Sequence, residues 1–188
     1  MKIEQLKNQI QEHTSKIAAL KKQMMEELRK DFHGALVELF DAYPFVHAVH
    51  FTAYTPYFND GDECTFSSHH YDCGFNGYDG YVDDKDSSVE NAFGDIEGDN
   101  IYENSQETIY VEVPNPDYDS TKSYYGNYKT KSVKQPNPNF NKLHKKAVED
   151  FRSALNAVGE EEWKELVGDH CIVMIDRKGI HVEEYDHE

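Results

Sequence analysis

The chain contains two β-like segments, FVHAVHFTAY at residues 45–54 and ECTFSSHHY at residues 63–71. The sequence between them, TPYFNDGD at residues 55–62, is rich in the Pro, Asn, Asp and Gly that favour turns. The pattern therefore predicts a β-hairpin. With residue 51 opposite residue 66, the hairpin would have one apolar face in the core, formed by Val49, Phe51, Ala53, Cys64 and Phe66.

A long helix is predicted before this hairpin, over residues 2–43. Its apolar residues alternate spacings of three and four, with His13 in the interrupted step, and are Ile3, Leu6, Ile10, Ile17, Leu20 and Met24. Beyond Met24 the spacing changes to fours, and Pro44 is expected to end the helix. We expect residues 1–30 to form a coiled-coil arm. Self-association through residues 3–28, giving a homo-oligomer, is favoured over a helix that lies along its own domain.

Residues 31–188 are predicted to form a single α+β domain. After the hairpin comes an acidic, Tyr-rich insertion without regular structure at about residues 72–105, then a strand at 107–113 and a second irregular segment at 114–138. Two C-terminal helices follow at 139–158, with Gly159 as the C′ residue, and at 160–167. A closing hairpin pairs 171–175 with 180–185. The predicted class is thus a long N-terminal coiled-coil helix with an antiparallel sheet of about four or five strands.

The charge of the chain is concentrated in its middle third. The 188 residues carry a formal net charge of −17, and residues 59–119 hold 17 acidic residues against one lysine, a net −16. Such a surface repels nucleic-acid phosphates and anionic membranes, so we expect neither to be a direct partner. A basic or metal-bearing partner fits this charge.

The acidic region is also rich in tyrosine, since 11 of the 13 tyrosines lie between Tyr54 and Tyr128. Tyrosines interleaved with Asp, Asn, Gly and Ser are typical of recognition loops, and carboxylates among them select a basic surface. We predict a partner-binding site at Tyr78, Asp79, Tyr81, Asp83, Asp84, Asp86, Asp95, Glu97, Asp99 and Tyr102. The alternative interpretation is a hydrophilic surface loop with some tyrosines packed on the body.

Metal binding is a second hypothesis. Four potential ligands fall within ten residues, namely Cys64, His69, His70 and Cys73, and zinc favours such Cys and His groups. Their spacing follows no standard zinc motif, and the alternative is a buried Cys64 with surface or network histidines. The acidic residues after 82 do not fit the EF-hand calcium template.

No catalytic motif is present: there is no Gly-x-Ser-x-Gly, no phosphate-binding Walker loop and no His-Glu-x-x-His. We therefore favour a non-enzymatic protein without a cofactor, zinc being the one cofactor considered. Three cysteines cannot form a complete disulfide framework, and no apolar signal or membrane-spanning run is found. A cytoplasmic location is expected.

The sequence YTPYFNDGDECTF at residues 54–66, preceded by a charged heptad-bearing helix, resembles a loosely defined group of small proteins encoded by tailed bacteriophages. The resemblance covers about residues 25–72. It implies a viral accessory gene expressed in a bacterial cytoplasm, where inhibitors of host defence are a common class. Together with the charge, it predicts a binding protein that occupies a basic surface of a host protein. The alternatives are a zinc protein built on the His/Cys hairpin and a virion or scaffold component.

Overall fold

The centre of the domain is a four-stranded antiparallel sheet flanked by helices. The computed structural model describes residues 2–57, 61, 63–78, 87–119, 121 and 128–185. Its elements are α1 (Lys2–Ala42), β1 (Ala48–Ala53), a 3-10 turn (His70–Asp72), β2 (Gly74–Phe75), α2 (Ser87–Phe93), α3 (Ile101–Ser105), β3 (Thr108–Pro114), β4 (Thr130–Pro136), α4 (Lys142–Leu155), α5 (Glu160–Val167), β5 (Cys171–Asp176) and β6 (Gly179–Glu184). The predicted mixed α+β class is confirmed.

The central sheet has the order β2-β1-β5-β6. β1 pairs with β5 along its whole length, with Phe51 opposite Val173. The predicted hairpin between residues 45–54 and 63–71 is therefore wrong, because residues 63–71 contribute one bridge, Tyr54 to Ser67, and the start of the 3-10 turn. The physical reason is apolar content: β5 reads CIVMID and buries all of one face and part of the other, which the polar ECTFSSHHY cannot do.

The apolar face predicted on β1 is nevertheless in the core. Val49, Phe51 and Ala53 are almost fully buried. The ring of Phe51 lies 5.0 Å from that of Trp163 on α5, edge to face. Helix α1 enters the same core through Phe32 and Phe40, and Phe40 packs on Phe151 of α4 at 4.9 Å. The core therefore joins α1, α4 and α5 to one face of the sheet.

Helix α1 has an exposed half and a buried half. It ends at Ala42, just before Pro44, as predicted. From Phe32 onward its apolar side chains pack on the domain, and Arg29 and His33 contact the backbone carbonyls of Ile180 and Asp176. Before Met25 the heptad residues stay 56–73% exposed, and they are Ile3, Leu6, Ile10, Ile17, Leu20 and Met24. The described part of the domain therefore leaves the apolar face of the arm uncovered, and self-association of the arm stays a prediction.

Two segments predicted to be irregular contain regular structure. Within 72–105 lie β2, α2 and α3, and four apolar side chains are fully buried there, those of Cys73, Phe75, Val89 and Ile101. Within 114–138 lies β4, which pairs with β3 in a separate two-stranded sheet. Before its terminal proline, β4 has a single apolar residue, Val133, so its sequence shows no alternating period. Its pairing with β3 depends on backbone hydrogen bonds. β3 alternates as predicted, with Ile109, Val111 and Val113 partly buried.

The C-terminal elements largely match the prediction. The closing hairpin is present, as is α5 at Glu160–Val167, which buries Trp163 and Leu166. The side chain of Asn141 caps α4 by accepting from the amides of Leu143 and His144. The role predicted for Gly159 is wrong: α4 ends at Leu155, and Gly159, with an ordinary φ of −75°, is the N-cap of α5.

Phe40→Ala tests whether the buried half of α1 holds the domain together. Phe40 is fully buried, so we expect a loss of about 3–5 kcal/mol in the free energy of unfolding. Leu6→Ala is the matched control: this residue is 56% exposed, and a change within about 0.5 kcal/mol is expected. Urea unfolding followed by the fluorescence of Trp163, the single tryptophan, measures both. Equal losses in the two variants would contradict the division of α1 into two halves.

Candidate binding surface

An acidic segment with the sequence GDIEGDN, residues 94–100, connects α2 to α3. The side chains of Asp95, Glu97 and Asp99 in it are exposed. Its backbone is held at two points. Nδ1 of His47 donates to the carbonyl of Glu97 at 2.7 Å, and Nδ2 of Asn76 donates to the carbonyl of Asp99 at 3.0 Å. We call residues 94–100 the acidic segment.

Both ends of the acidic segment are anchored in the domain. Val89 on α2 and Ile101 on α3 have no exposed surface. Asn100 caps α3, since its side-chain oxygen accepts from the amide of Glu103 at 3.0 Å. The carboxylates are thus displayed from a backbone that is already ordered, which lowers the entropy lost on binding.

Asn76 connects the acidic segment to the central sheet. It is fully buried with φ of 56°, in the left-handed region that Asn tolerates better than most residues. The backbone amide of Asn76 donates to the carbonyl of Ala48 at 2.9 Å, and its side-chain oxygen accepts from the backbone amide of His47 at 2.8 Å. Gly98 lies directly against this side chain, where a Cβ would come within 2.4 Å of Nδ2. A side chain at position 98 would therefore push the acidic segment away from Asn76.

The predicted binding residues divide into three groups. Asp95, Glu97 and Asp99 are exposed together on the acidic segment. Tyr78 and Tyr102 are half-buried, and the guanidinium of Arg152 lies 5.2 Å from the centre of the Tyr102 ring. The remaining predicted residues lie outside the described part of the chain, and these are Asp79, Tyr81, Asp83, Asp84 and Asp86.

The four predicted zinc ligands have other partners or other surroundings. His70 uses both ring nitrogens, contacting the Ser68 hydroxyl through Nδ1 and the Asn156 side-chain oxygen through Nε2 at 2.9 Å. Cys73 is fully buried, and burial raises its pKa to about 11. His69 stacks on Tyr54, and Cys64 is half-buried. Across the described residues no group of three or more His, Cys, Asp or Glu side chains is placed to hold a metal ion.

A second surface, which the sequence did not indicate, lies where β1 ends and β5 begins. His69 stacks on Tyr54 at 4.6 Å, and His170 stacks on Tyr57 at 4.8 Å. Both histidines have positive φ, 31° and 53°, and Tyr57 and Tyr71 are 67% and 49% exposed. We call Tyr54, Tyr57, His69, Tyr71 and His170 the aromatic surface. Left-handed non-glycine residues mark backbone that its surroundings hold in place, and here they orient two imidazole rings against tyrosines.

Asp169 fixes the chain beneath this aromatic surface. Its two side-chain oxygens accept from the amide and the hydroxyl of Thr55, each at 2.7 Å, and Lys164 Nζ lies 3.0 Å away. Partial burial opposes ionisation of the carboxyl, but these hydrogen bonds outweigh it and lower the pKa of Asp169 to about 2. The ionised carboxylate therefore holds Thr55 between the two stacked tyrosines, Tyr54 and Tyr57.

Comparisons of the chain with models of protein families, with curated proteins and with solved structures find no match. None of the described helices is both long enough and apolar enough to cross a bilayer. Fixed carboxylates and exposed tyrosines are binding features, and the buried thiols Cys73 and Cys171, whose pKa burial raises to about 11, are protonated at neutral pH.

Asp169→Asn tests the charge of the carboxylate beneath the aromatic surface. A folded-state pKa near 2 lies below the unfolded value of about 3.9, so the ionised group stabilises the fold above that value and the effect fades as the pH falls toward 2. We expect the substitution to lower the free energy of unfolding by about 2 kcal/mol near pH 7 and by about half as much near pH 3. Urea titrations at both pH values measure it. A difference that does not change with pH would contradict the role of the charge.

Asn76→Ala tests the connection between the sheet and the acidic segment. The His47 amide would lose its acceptor, so we expect a loss of about 2 kcal/mol in the free energy of unfolding. We also expect faster hydrogen exchange of the amides at 95–101, measured by mass spectrometry. Asn91→Ala, at an exposed position on α2, is the control and should change neither. Unchanged exchange in the Asn76 variant would show that the acidic segment is ordered by other contacts.

Proposed function

We propose that this chain is a non-enzymatic binding protein that occupies a basic surface of another protein with its acidic, Tyr-rich region. The observation that carries the proposal is the acidic segment itself. Three exposed carboxylates, those of Asp95, Glu97 and Asp99, stand on a backbone that His47 and Asn76 hold in one conformation. A surface of this kind binds a complementary basic surface without first being ordered.

The distribution of charge supports the same partner chemistry. The net −16 of residues 59–119 attracts a basic partner over several ångströms and speeds the encounter. We propose that the carboxylates predicted at 79–86 extend the contact and that Tyr78 and Tyr102 supply apolar area beside it. Binding of this kind weakens strongly as the salt concentration rises.

The partner that we favour is a basic host protein that binds nucleic acid. Carboxylates held in a fixed array take the place of phosphates, so this chain and a nucleic acid would compete for one site. The resemblance of residues 25–72 to small phage proteins supports a bacterial host and a role as an accessory or anti-defence factor in its cytoplasm. A virion or scaffold role is the second candidate, favoured by the exposed apolar face of the arm.

The test compares two variants that change the charge equally. In the first, Asp95→Asn, Glu97→Gln and Asp99→Asn neutralise the acidic segment. In the second, Glu161→Gln, Glu183→Gln and Glu184→Gln neutralise three exposed carboxylates elsewhere. Removing the whole of residues 76–104 would not test these carboxylates alone. It would also remove the buried side chains of Asn76, Val89 and Ile101 and so disturb the fold.

Each protein is immobilised and exposed to the heparin-binding fraction of a bacterial lysate at low and high salt. We expect the wild type and the control to retain the same basic protein, with release by salt and by duplex DNA. The affinity of the acidic-segment variant, measured with that purified protein, should fall by about tenfold, or ~1.4 kcal/mol. Equal retention by both variants, or retention that DNA does not reverse, would contradict the proposal.

A further inference from the structure

The arm presents an apolar seam that the described part of the chain leaves uncovered. In a heptad frame, Ile3, Ile10, Ile17 and Met24 occupy a positions, and Leu6, His13 and Leu20 occupy d positions. The six apolar side chains are 56–73% exposed. Ile at a in three heptads, with Leu at two of the three d positions, favours a parallel two-stranded coiled coil, so the seam fits one further helix.

The positions that flank this seam carry only positive charge. At e and g between residues 3 and 24 stand Lys7, Gln9, Thr14, Lys16, Lys21 and Gln23, with no acidic residue among them. The two glutamates of this stretch, Glu4 and Glu12, fall at b and c, away from the seam. Residues 2–24 hold five lysines and two glutamates, a net charge of +3 on a chain of −17.

These flanks disfavour a second copy of the arm as the occupant, although the heptad pattern of residues 3–28 taken without its flanking charges predicts self-association. In a parallel pair, the g position of one helix faces the e position of the next heptad on the other helix. Lys16 of each copy would therefore face Lys21 of the other copy, which gives two repulsive contacts. The ion pair of Lys21 with Glu165 is exposed, so it contributes little to the stability of the fold. Lys21 can therefore exchange Glu165 for a carboxylate of a partner helix. Glutamate or aspartate at the same flanking positions of another helix would turn each repulsion into an attraction.

We propose that residues 3–24 bind an amphipathic helix of a partner protein whose apolar seam is flanked by acidic residues. The position of the arm permits this despite the acidic body. Lys21 marks where the arm meets α5, and the helix from there to Ile3 extends about 25 Å, well beyond the ~8 Å screening length at physiological salt. His13 leaves one polar step in the seam, which helps to set the register of the pair.

The experiment measures binding of the full chain to two synthetic helical peptides of four heptads. Both have Ile at a and Leu at d; one carries Glu at every e and g position, and the other carries Lys. Each peptide repels itself, so the two differ mainly in their fit to the arm. We expect the Glu peptide to bind at least about tenfold more tightly in low salt, by fluorescence anisotropy, and the preference to shrink in high salt.

Two double variants assign the preference to the flanks. Lys7→Glu with Lys16→Glu should abolish or reverse the preference, whereas Lys22→Glu with Lys178→Glu changes the same charge away from the seam and should preserve it. The fluorescence of buried Trp163 checks that each variant is folded. Equal binding of both peptides would overturn the proposal. So would sedimentation of the unmodified chain as a micromolar dimer that excludes the Glu peptide, since a second copy would then be the occupant. Neutralising the acidic segment leaves the arm unchanged, so this test is independent of the proposed function.

Discussion

The antiparallel pairing of β1 with β5 is the constraint on which the rest of the structure depends. It sets Phe51 opposite Val173 and gives the helices one apolar face to cover. Both candidate surfaces are positioned by the ends of β1. At its start, the carbonyl of Ala48 accepts from Asn76, the residue that holds the acidic segment. Just past its end, Thr55 is bound by Asp169, which precedes β5. A register shift would displace both surfaces together.

Elements with a strong local signal were predictable from the sequence. Helices α1 and α5 and the closing hairpin follow from apolar periodicity and from a turn of fixed length. The hairpin at 45–71 was wrong because turn chemistry at 55–62 favours a local pairing, whereas burial favours a strand more than a hundred residues away. Sequence patterns measure the first effect well. The second depends on which distant segment buries more apolar surface, and a single chain does not reveal that.

The candidate site also combines features that the sequence reveals locally with features that depend on contacts between distant residues. Charge alone predicted Asp95, Glu97 and Asp99 as candidate binding residues, because an excess of carboxylates is visible without a fold. The residue that orders them was not identifiable, since Asn76 lies in a Gly-rich stretch typical of a turn and acts through contacts with His47 and Asp99. The aromatic surface was missed for a related reason. One of its two stacked pairs joins residues more than a hundred positions apart, Tyr57 and His170.

The chain separates its charges by distance as well as by sign. The arm carries +3 and the middle third −16, and the helix places the N-terminal end of the arm about 25 Å beyond Lys21, where the arm meets α5, which is about three screening lengths. We propose that this separation lets the chain bind two partners of opposite charge without either surface neutralising the other. Were the two charges adjacent, the lysines of the arm would pair with the carboxylates of the body and both would be lost for recognition. In this proposal the helix is what keeps the two binding surfaces independent on a chain of 188 residues.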